Sequence, residues 1–386
     1  MSTPRPPRRL RPPRERDFTS TLRGPEVAAR VGLWLGVCFT VAFLTGVWSH
    51  LYQNQPPWLT IPTRPVWLYR VTQGLHYLSG TAAVPLLLVK LYAVYPKLFA
   101  DVPWRRVREL VLHLLERVSI ALLVAAGIFQ LATGVANSAQ FYPWSFSFRA
   151  THYAVAWVAF GALVLHVAVK LPVIRSALTR PLGDGERPGT GLTRRGLVRV
   201  ALGASTVATL SVAGGTVPWL RRLSVFETHD GTGPQDVPIN KSARRADVVS
   251  AALAPTYALE VVHGAATKGL TLPDLQAMPQ HTERLPIACV EGWSAAGDWT
   301  GVRLRDLLDL VGAPAGSDVR VTSLQDHGPF RYSDVRGNLA YDPLTLVALR
   351  LNGSALSIDH GYPCRLIAPD RPGVLQTKWL GRIEVT

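Results

Sequence analysis

Long apolar runs fill the first 222 residues of this 386-residue chain and are missing from the rest, so the sequence is divided between two solvents. An α-helix needs about 20 predominantly apolar residues to cross a bilayer. Five segments reach or approach that length: about 30–50, 70–95, 114–135, 151–172 and 197–217. The second contains Pro85 and Lys90, and the fifth is rich in Ala, Gly and Ser, so these two are the weakest apolar runs. Trp48, Trp58, Trp67, Tyr69, Tyr142 and Trp144 sit at the ends of the runs, where amphipathic rings favour the membrane interface. The pattern predicts an N-terminal all-α bundle of five transmembrane helices, followed by a water-soluble domain.

Charge divides at the same place. Residues 223–386 hold 15 Lys plus Arg against 18 Asp plus Glu, a net of −3; earlier residues hold the remaining 26 against 8, or +18, giving the overall +15. The basic excess therefore lies beside hydrophobic segments, which points to membrane topology and excludes nucleic acid as the expected partner. Eight arginines (Arg5, Arg8, Arg9, Arg11, Arg14, Arg16, Arg23 and Arg30) precede the first span. Lys97, Arg105, Arg106 and Arg108 fill the second loop, and Arg175, Arg180, Arg187, Arg194 and Arg195 the fourth. The first and third loops offer little beyond Arg64 and Arg149. By the positive-inside rule the N-terminus is cytoplasmic, and five crossings put the C-terminal domain outside the cytoplasmic membrane.

These features divide the chain into a basic, Pro/Arg-rich tail expected to be disordered (1–29) and a four-helix membrane domain (30–180). A cytoplasmic loop with the fifth helix (181–222) and the soluble domain (223–386) follow. Membrane lipids are the expected contacts of the first half. Thr193-Arg194-Arg195-Gly196-Leu197 leads into the weak fifth run and resembles a twin-arginine export signal set inside the chain. Its simpler reading is two more cytoplasmic arginines. Export of a folded domain by the twin-arginine machinery makes physical sense if that domain acquires a complex cofactor in the cytoplasm.

Five of the ten histidines fall in or near the spans: His50, His76, His113, His152 and His166. On this orientation His50, His76 and His152 lie towards the outside, and His113 and His166 towards the inside. Ionisable groups at membrane depth are costly and mark function by default. His152 and His166, fourteen positions apart, are about 40° short of a whole number of turns and roughly 21 Å apart along one helix. They share nearly one face, one near each side. Neutral imidazole ligates haem iron axially, so His76 with His152 form a candidate outer haem pair, and His166 with His113 an inner one. Interhelical hydrogen bonding by the same histidines is the alternative. The placement resembles b-type cytochrome membrane subunits and implies one or two haem b groups. Lys90 departs from that pattern, standing fourteen after His76 where a second histidine belongs.

In the soluble half, Tyr257–His263, Leu285–Val290, Val319–Ser323, Cys364–Ala368 and Trp379–Val385 read as strands. Leu272–Met278 and Leu304–Val311 read as helices. Without a βαβ rhythm, this is an α+β domain. Cys289 and Cys364 are its two cysteines, too few for a disulfide framework, although a single bridge between them stays open.

Two separated segments carry a more specific signal. The first is Ile287-Ala-Cys289-Val-Glu-Gly-Trp293-Ser followed by Trp299-Thr-Gly-Val-Arg-Leu-Arg-Asp-Leu-Leu. The second is His360-Gly-Tyr-Pro-Cys-Arg365-Leu-Ile-Ala-Pro followed by Lys378-Trp379-Leu-Gly-Arg-Ile-Glu-Val. Together they resemble the sulfite oxidase-type molybdopterin fold over about 226–386. The wording is nearest to the bacterial periplasmic branch that includes the catalytic subunit of methionine sulfoxide reductase. The resemblance implies that Cys289 gives a thiolate to molybdenum, a soft ligand suited to a redox metal. It also implies that Ser323, His360, Arg365, Thr377 and Lys378 contact the pterin and its phosphate, while Cys364 has no assigned role and reads as a packed small side chain.

The expected protein is thus a membrane-bound molybdenum oxidoreductase carrying out oxygen-atom or two-electron transfer outside the cytoplasmic membrane. Its substrate is a small-molecule or protein-bound oxo compound, and electrons are exchanged with the quinone pool through haem. A reductase is favoured over a sulfite-type dehydrogenase. Its rivals are a plain anchor served by a soluble carrier, and a non-catalytic binding module.

Overall fold

A computed structural model describes residues 13–20, 22–100, 106–182, 191–227 and 233–386. Residues 1–12, most of the arginine-rich tail, lie outside the described residues, as do Arg105 and Arg187. Five helices open the chain: α1 (Pro25–Gln53), α2 (Leu68–Val94), α3 (Val107–Ser138), α4 (Phe148–Thr179) and α5 (Arg194–Leu210). The first four are long and apolar enough to cross a membrane. Each outruns its apolar stretch, because helical hydrogen bonding continues through polar residues such as Arg108, Glu109 and Arg117 where the hydropathy signal has stopped.

The fifth helix departs from expectation. It has 17 residues, about 26 Å at the helical rise, short of the roughly 30 Å of hydrocarbon. The 211–217 stretch that was to complete it folds instead as turns and a 3-10 turn. Gly214 and Gly215 supply no side chain to hold a regular helix there. Four helices, rather than five, meet the length and composition of a span.

The chain forms two compact units. The first gathers residues up to 41 with 79–134 and 146–208. Its core joins Val27, Val31 and Leu35 of α1 to Ala83 and Leu86 of α2 and to Leu197, Val198 and Ala201 of α5. Arg30 ties α1 to the end of α4 through the carbonyls of Ala177, Leu178 and Arg180. Large apolar side chains, among them Leu33, Trp34, Leu88, Val118 and Leu165, stay exposed on α1–α4. That surface is consistent with anchoring in a membrane.

The second unit comprises residues 42–78, 135–145 and 209–386, so the C-terminal end of α1, the start of α2 and the end of α3 belong with the α+β domain. After the short helices α6 (Ala243–Ala246) and α7 (Val249–Ala252) come β1 (Ala258–His263), β2 (Ala266–Thr271) and α8 (Leu272–Ala277). The hairpin β3 (His281–Ala288) and β4 (Ser294–Arg303) precedes α9 (Leu304–Asp309), β5 (Val319–Ser323), β6 (Tyr332–Val335) and α10 (Gly337–Ala340). The chain ends with β7 (Leu346–Leu351), β8 (Ser354–Ala355), β9 (Arg365–Ile367) and β10 (Leu380–Val385). One sheet has the order β2-β1-β10-β5-β6, with β1 and β10 parallel. The other has the order β3-β4-β7-β8, and β9 pairs with β7. Leu259, Val261, Leu304, Leu307, Val321 and Ile383 form one core, while Leu285, Ile287, Trp299, Leu346 and Ile367 form another that includes Cys289.

Local chemistry explains the segments that were predicted. Thr271 caps α8 by accepting the Asp274 N–H, while the Asp274 carboxylate accepts the Thr271 N–H at 2.9 Å, a reciprocal capping box. Strand β4 was not predicted, because Gly297 and Asp298 interrupt its alternation; its eight pairings with β3 supply what propensity lacks.

Candidate functional site

Cys289 stands at the tip of the β3–β4 hairpin, directly after the last β3 residue. The turn is closed by the Cys289 N–H to the Trp293 carbonyl at 2.9 Å and the Gly292 N–H to the Cys289 carbonyl at 3.2 Å. Gly292 has φ +97, a conformation side chains rarely adopt, and a Cβ there would lie 2.7 Å from the Tyr77 ring. The Cys289 sulfur is buried, and the backbone N–H groups of Val290 and Glu291 favour its ionised form. Burial, reinforced by the Glu291 carboxylate, holds its pKa well above the ordinary thiol range. A cationic metal at the sulfur would reverse that balance, since coordination deprotonates a thiol outright. Both Cys289 and Cys364 are free, which settles the open pairing. Cys364 is packed in the core against the Tyr257 hydroxyl at 3.1 Å, and burial pushes its thiol up to about 12.

The second expected segment supplies buried cations. Arg365, at the start of β9, donates to the carbonyls of His360 at 3.0 Å and Gln376 at 3.1 Å and lies over the Trp299 ring. Its Nε is buried with no partner. Lys378 donates to the carbonyls of Lys241 at 2.5 Å and Asp359 at 3.0 Å and covers Trp379. Among the described residues neither cation pairs with a carboxylate within 4.0 Å. Burial lowers Arg365 to about 9 and, with Arg365 as a neighbour, Lys378 to about 7. Lys378 is also within electrostatic reach of Asp359, Cys289 and Lys241, which brings the two segments near one another.

The remaining expected residues take structural partners. The His360 ring approaches the Pro234 carbonyl at 2.6 Å, and burial beside Arg365 lowers it to about 4. The Ser323 hydroxyl donates to the Lys378 carbonyl at 2.8 Å and so fixes the backbone that carries the lysine. The Thr377 hydroxyl meets Ser333 at 2.8 Å. Sequence reasoning missed Lys241, whose ammonium reaches Gln325 at 3.1 Å from an irregular loop without periodicity. It also missed Trp299 as the platform for Arg365.

A buried, unpaired guanidinium nitrogen beside a second unpaired cation is costly unless an anion completes it. The cradle therefore fits a phosphate-bearing cofactor, with a thiol at metal-ligating depth nearby. Residues 246–386 match the family model described as oxidoreductase molybdopterin binding domain. The C-terminal domain is a molybdopterin-binding oxidoreductase domain of the sulfite oxidase and methionine sulfoxide reductase type. The chain is 33% identical over 30% of its length to the provisionally named protein-methionine-sulfoxide reductase subunit YedZ1 of Azospira oryzae, covering 43% of that protein. It is 32% identical over 33% of its length to the mitochondrial sulfite oxidase of Drosophila melanogaster, covering 27% of it. It is 30% identical over 30% of its length to the protein-methionine-sulfoxide reductase catalytic subunit MsrP of Campylobacter jejuni, covering 44% of it. The chain thus spans less than half the length of these relatives.

In the second unit, His76 Nδ1 lies 2.8 Å from the Ala42 carbonyl. In the first, His152 Nδ1 lies 3.0 Å from the Thr133 hydroxyl, and its ring packs on Phe148. His166, on α4, has Lys90, Lys170 and Glu116 within electrostatic reach, and Lys170 pairs with Glu116. Lys90 donates to the Ala28 carbonyl at 2.8 Å. His113, on α3, is half-buried, and its Nε2 has no hydrogen-bond partner among the described residues.

Proposed function

We propose that this protein is a membrane-bound molybdenum oxidoreductase performing oxygen-atom or two-electron transfer outside the cytoplasmic membrane. The observation that carries the reading is the buried Cys289 thiol within electrostatic reach of Lys378, itself a neighbour of Arg365, two cations that form no ion pair within 4.0 Å among the described residues. When bound, the molybdenum cofactor supplies two-electron chemistry that no side chain can perform. Cys289 would hold the metal; Arg365, Lys378 and Lys241 would neutralise the phosphate, and Ser323, His360 and Thr377 would fix the cradle's backbone. A sulfoxide-type substrate fits the reductase direction, supported by likeness to two methionine-sulfoxide reductase proteins.

Electrons would be exchanged with quinone through haem b held by His76 and His152. What supports haem is that each ring has Nδ1 directed at an oxygen, the arrangement that orients an imidazole to ligate through Nε2. The fifth crossing would be made by α5 with residues 211–217. Arg194 lies 3.8 Å from Glu26 at the start of α1, and Ser205 bonds the Ala82 carbonyl of α2. A Cβ on Gly74, near the start of α2, would lie 2.3 Å from Thr216. Such a crossing puts the C-terminal domain opposite the N-terminus, as twin-arginine export of a folded domain requires.

Molybdenum content and the reduced-minus-oxidised haem spectrum of the detergent-solubilised protein, wild type and Cys289→Ser, test the reading. Molybdenum with b-type haem in the wild type, and activity lost in the variant, is the expected result. Molybdenum without haem would reduce the helices to an anchor. Properly folded protein without molybdenum would overturn the proposal.

A further inference from the structure

The Cys289 turn is held by segments far from it in sequence. The Asn137 side-chain amide, at the end of α3, donates to the Val290 carbonyl at 3.0 Å. Gln140 donates to the Glu291 carboxylate at 2.9 Å, and the Thr216 hydroxyl donates to the Gly292 carbonyl at 2.8 Å. The Tyr77 ring of α2 closes the fourth side against Gly292. Three successive residues of one turn thus take donors from segments more than seventy positions away.

One of these bonds acts on the sulfur through covalent geometry. The Val290 carbonyl and the Glu291 N–H belong to a single planar peptide group. The Glu291 N–H favours the ionised form of the Cys289 sulfur. Fixing the carbonyl therefore fixes the direction in which the N–H points. Asn137 is itself fixed: it is buried, and its side-chain oxygen accepts the Tyr142 hydroxyl at 2.9 Å, which sets which end of the amide faces Val290.

We infer that Asn137, seconded by Thr216, is a positioning residue for the Cys289 thiolate, so that the end of helix α3 and the segment after α5 tune the metal ligand. This rests on the molybdenum reading above. Amide hydrogen bonds to a ligating sulfur stabilise its electron-rich state and raise the potential of the attached metal. Losing the oriented Glu291 N–H lowers it.

The test uses the full chain in detergent. In cofactor-free protein, the rate of Cys289 alkylation by N-ethylmaleimide is followed by peptide mass spectrometry, with buried Cys364 as the internal control for global opening. Asn137→Ala and Thr216→Val are expected to speed Cys289 alkylation about tenfold, the effect of one lost hydrogen bond on local opening, with Cys364 unchanged. Thr216→Ser restores protection. In the loaded protein, Asn137→Ala keeps its molybdenum and shows a lowered metal-centred potential. Wild-type alkylation rates in both variants, or an unshifted potential in Asn137→Ala, overturn the inference. Wild-type protein without molybdenum that still shows the alkylation pattern overturns the functional reading and supports the clamp on the turn.

Discussion

Tyr52 and Asp370, 318 positions apart, meet as hydroxyl donor and carboxylate acceptor at 2.5 Å. The other carboxylate oxygen accepts the Tyr69 N–H at 2.6 Å, so Asp370 also caps the first turn of α2. Asp370 has φ +49, a left-handed conformation that Asp and Asn tolerate better than most residues. Asp370→Ala strands two buried donors and strains the backbone, and is expected to cost about 3 kcal/mol in denaturant unfolding. Asp370→Asn keeps an acceptor for Tyr69 and should cost less than about 1 kcal/mol.

The same pair predicts a pH dependence. Burial raises the Asp370 carboxyl from 3.8 to about 6. The folded protein then binds a proton that the unfolded chain has released, so this group's contribution to stability declines as pH rises from about 4 to 6. Asp370→Asn removes that part of the slope in unfolding midpoints measured across the window.

His360 titrates with the opposite sign. Its folded pKa, lowered from 6.5 to about 4, means that only the unfolded chain takes up a proton between those values. Stability present above pH 6.5 is therefore lost as the pH falls towards 4. His360→Gln should flatten the acid limb of cofactor-free protein, read by thermal unfolding.

Arg365 and Lys378 separate stability from binding. In cofactor-free protein, Arg365→Met removes a buried cation and Lys378→Met a half-buried one, neither with an ion pair within 4.0 Å among the described residues, and each should leave the unfolding midpoint unchanged or higher. In loaded protein each should release the pterin more readily during gel filtration, followed by its fluorescence after oxidation. A lowered midpoint without pterin loss would assign the cations to the fold.

Arg64 and Asp342 form a two-pronged pair at 3.0 and 3.2 Å. The arginine side chain is 48% exposed and the aspartate 7%. Arg64→Ala should cost less than about 1 kcal/mol. Asp342→Ala should cost more, because the carboxylate also accepts the Leu344 N–H at 2.9 Å. A double-mutant cycle measures the shared part.

The sequence made some of this legible and hid the rest for physical reasons. Four candidate spans could be read because hydrocarbon demands an uninterrupted apolar run, while the fifth apolar run continues past its regular helix, which ends at Leu210 ahead of Gly214 and Gly215. Val319–Ser323 was predicted to the residue from its β-branched alternation. Strand β7, buried on nearly every residue, has no alternation to read. Cys289, Arg365 and Lys378 stand in contiguous wording. Asn137, Thr216 and Lys241 reach the site only through tertiary packing, and an isolated Asn or Thr carries no pattern in one dimension.

The central place of β10 between β1 and β5 has a consequence for biosynthesis. While a ribosome still holds the last strand in chain order, β1 with β2 and β5 with β6 can exist only as separate hairpins. Arg365 and Lys378, which lie just before that strand, have no finished sheet behind them until it slots in. The cofactor cradle is thus among the last parts of the domain to mature, and loading reports that translation has run through the closing strand. A quality check that inspects cofactor content would, by this geometry, also inspect whether β10 has taken its place between β1 and β5.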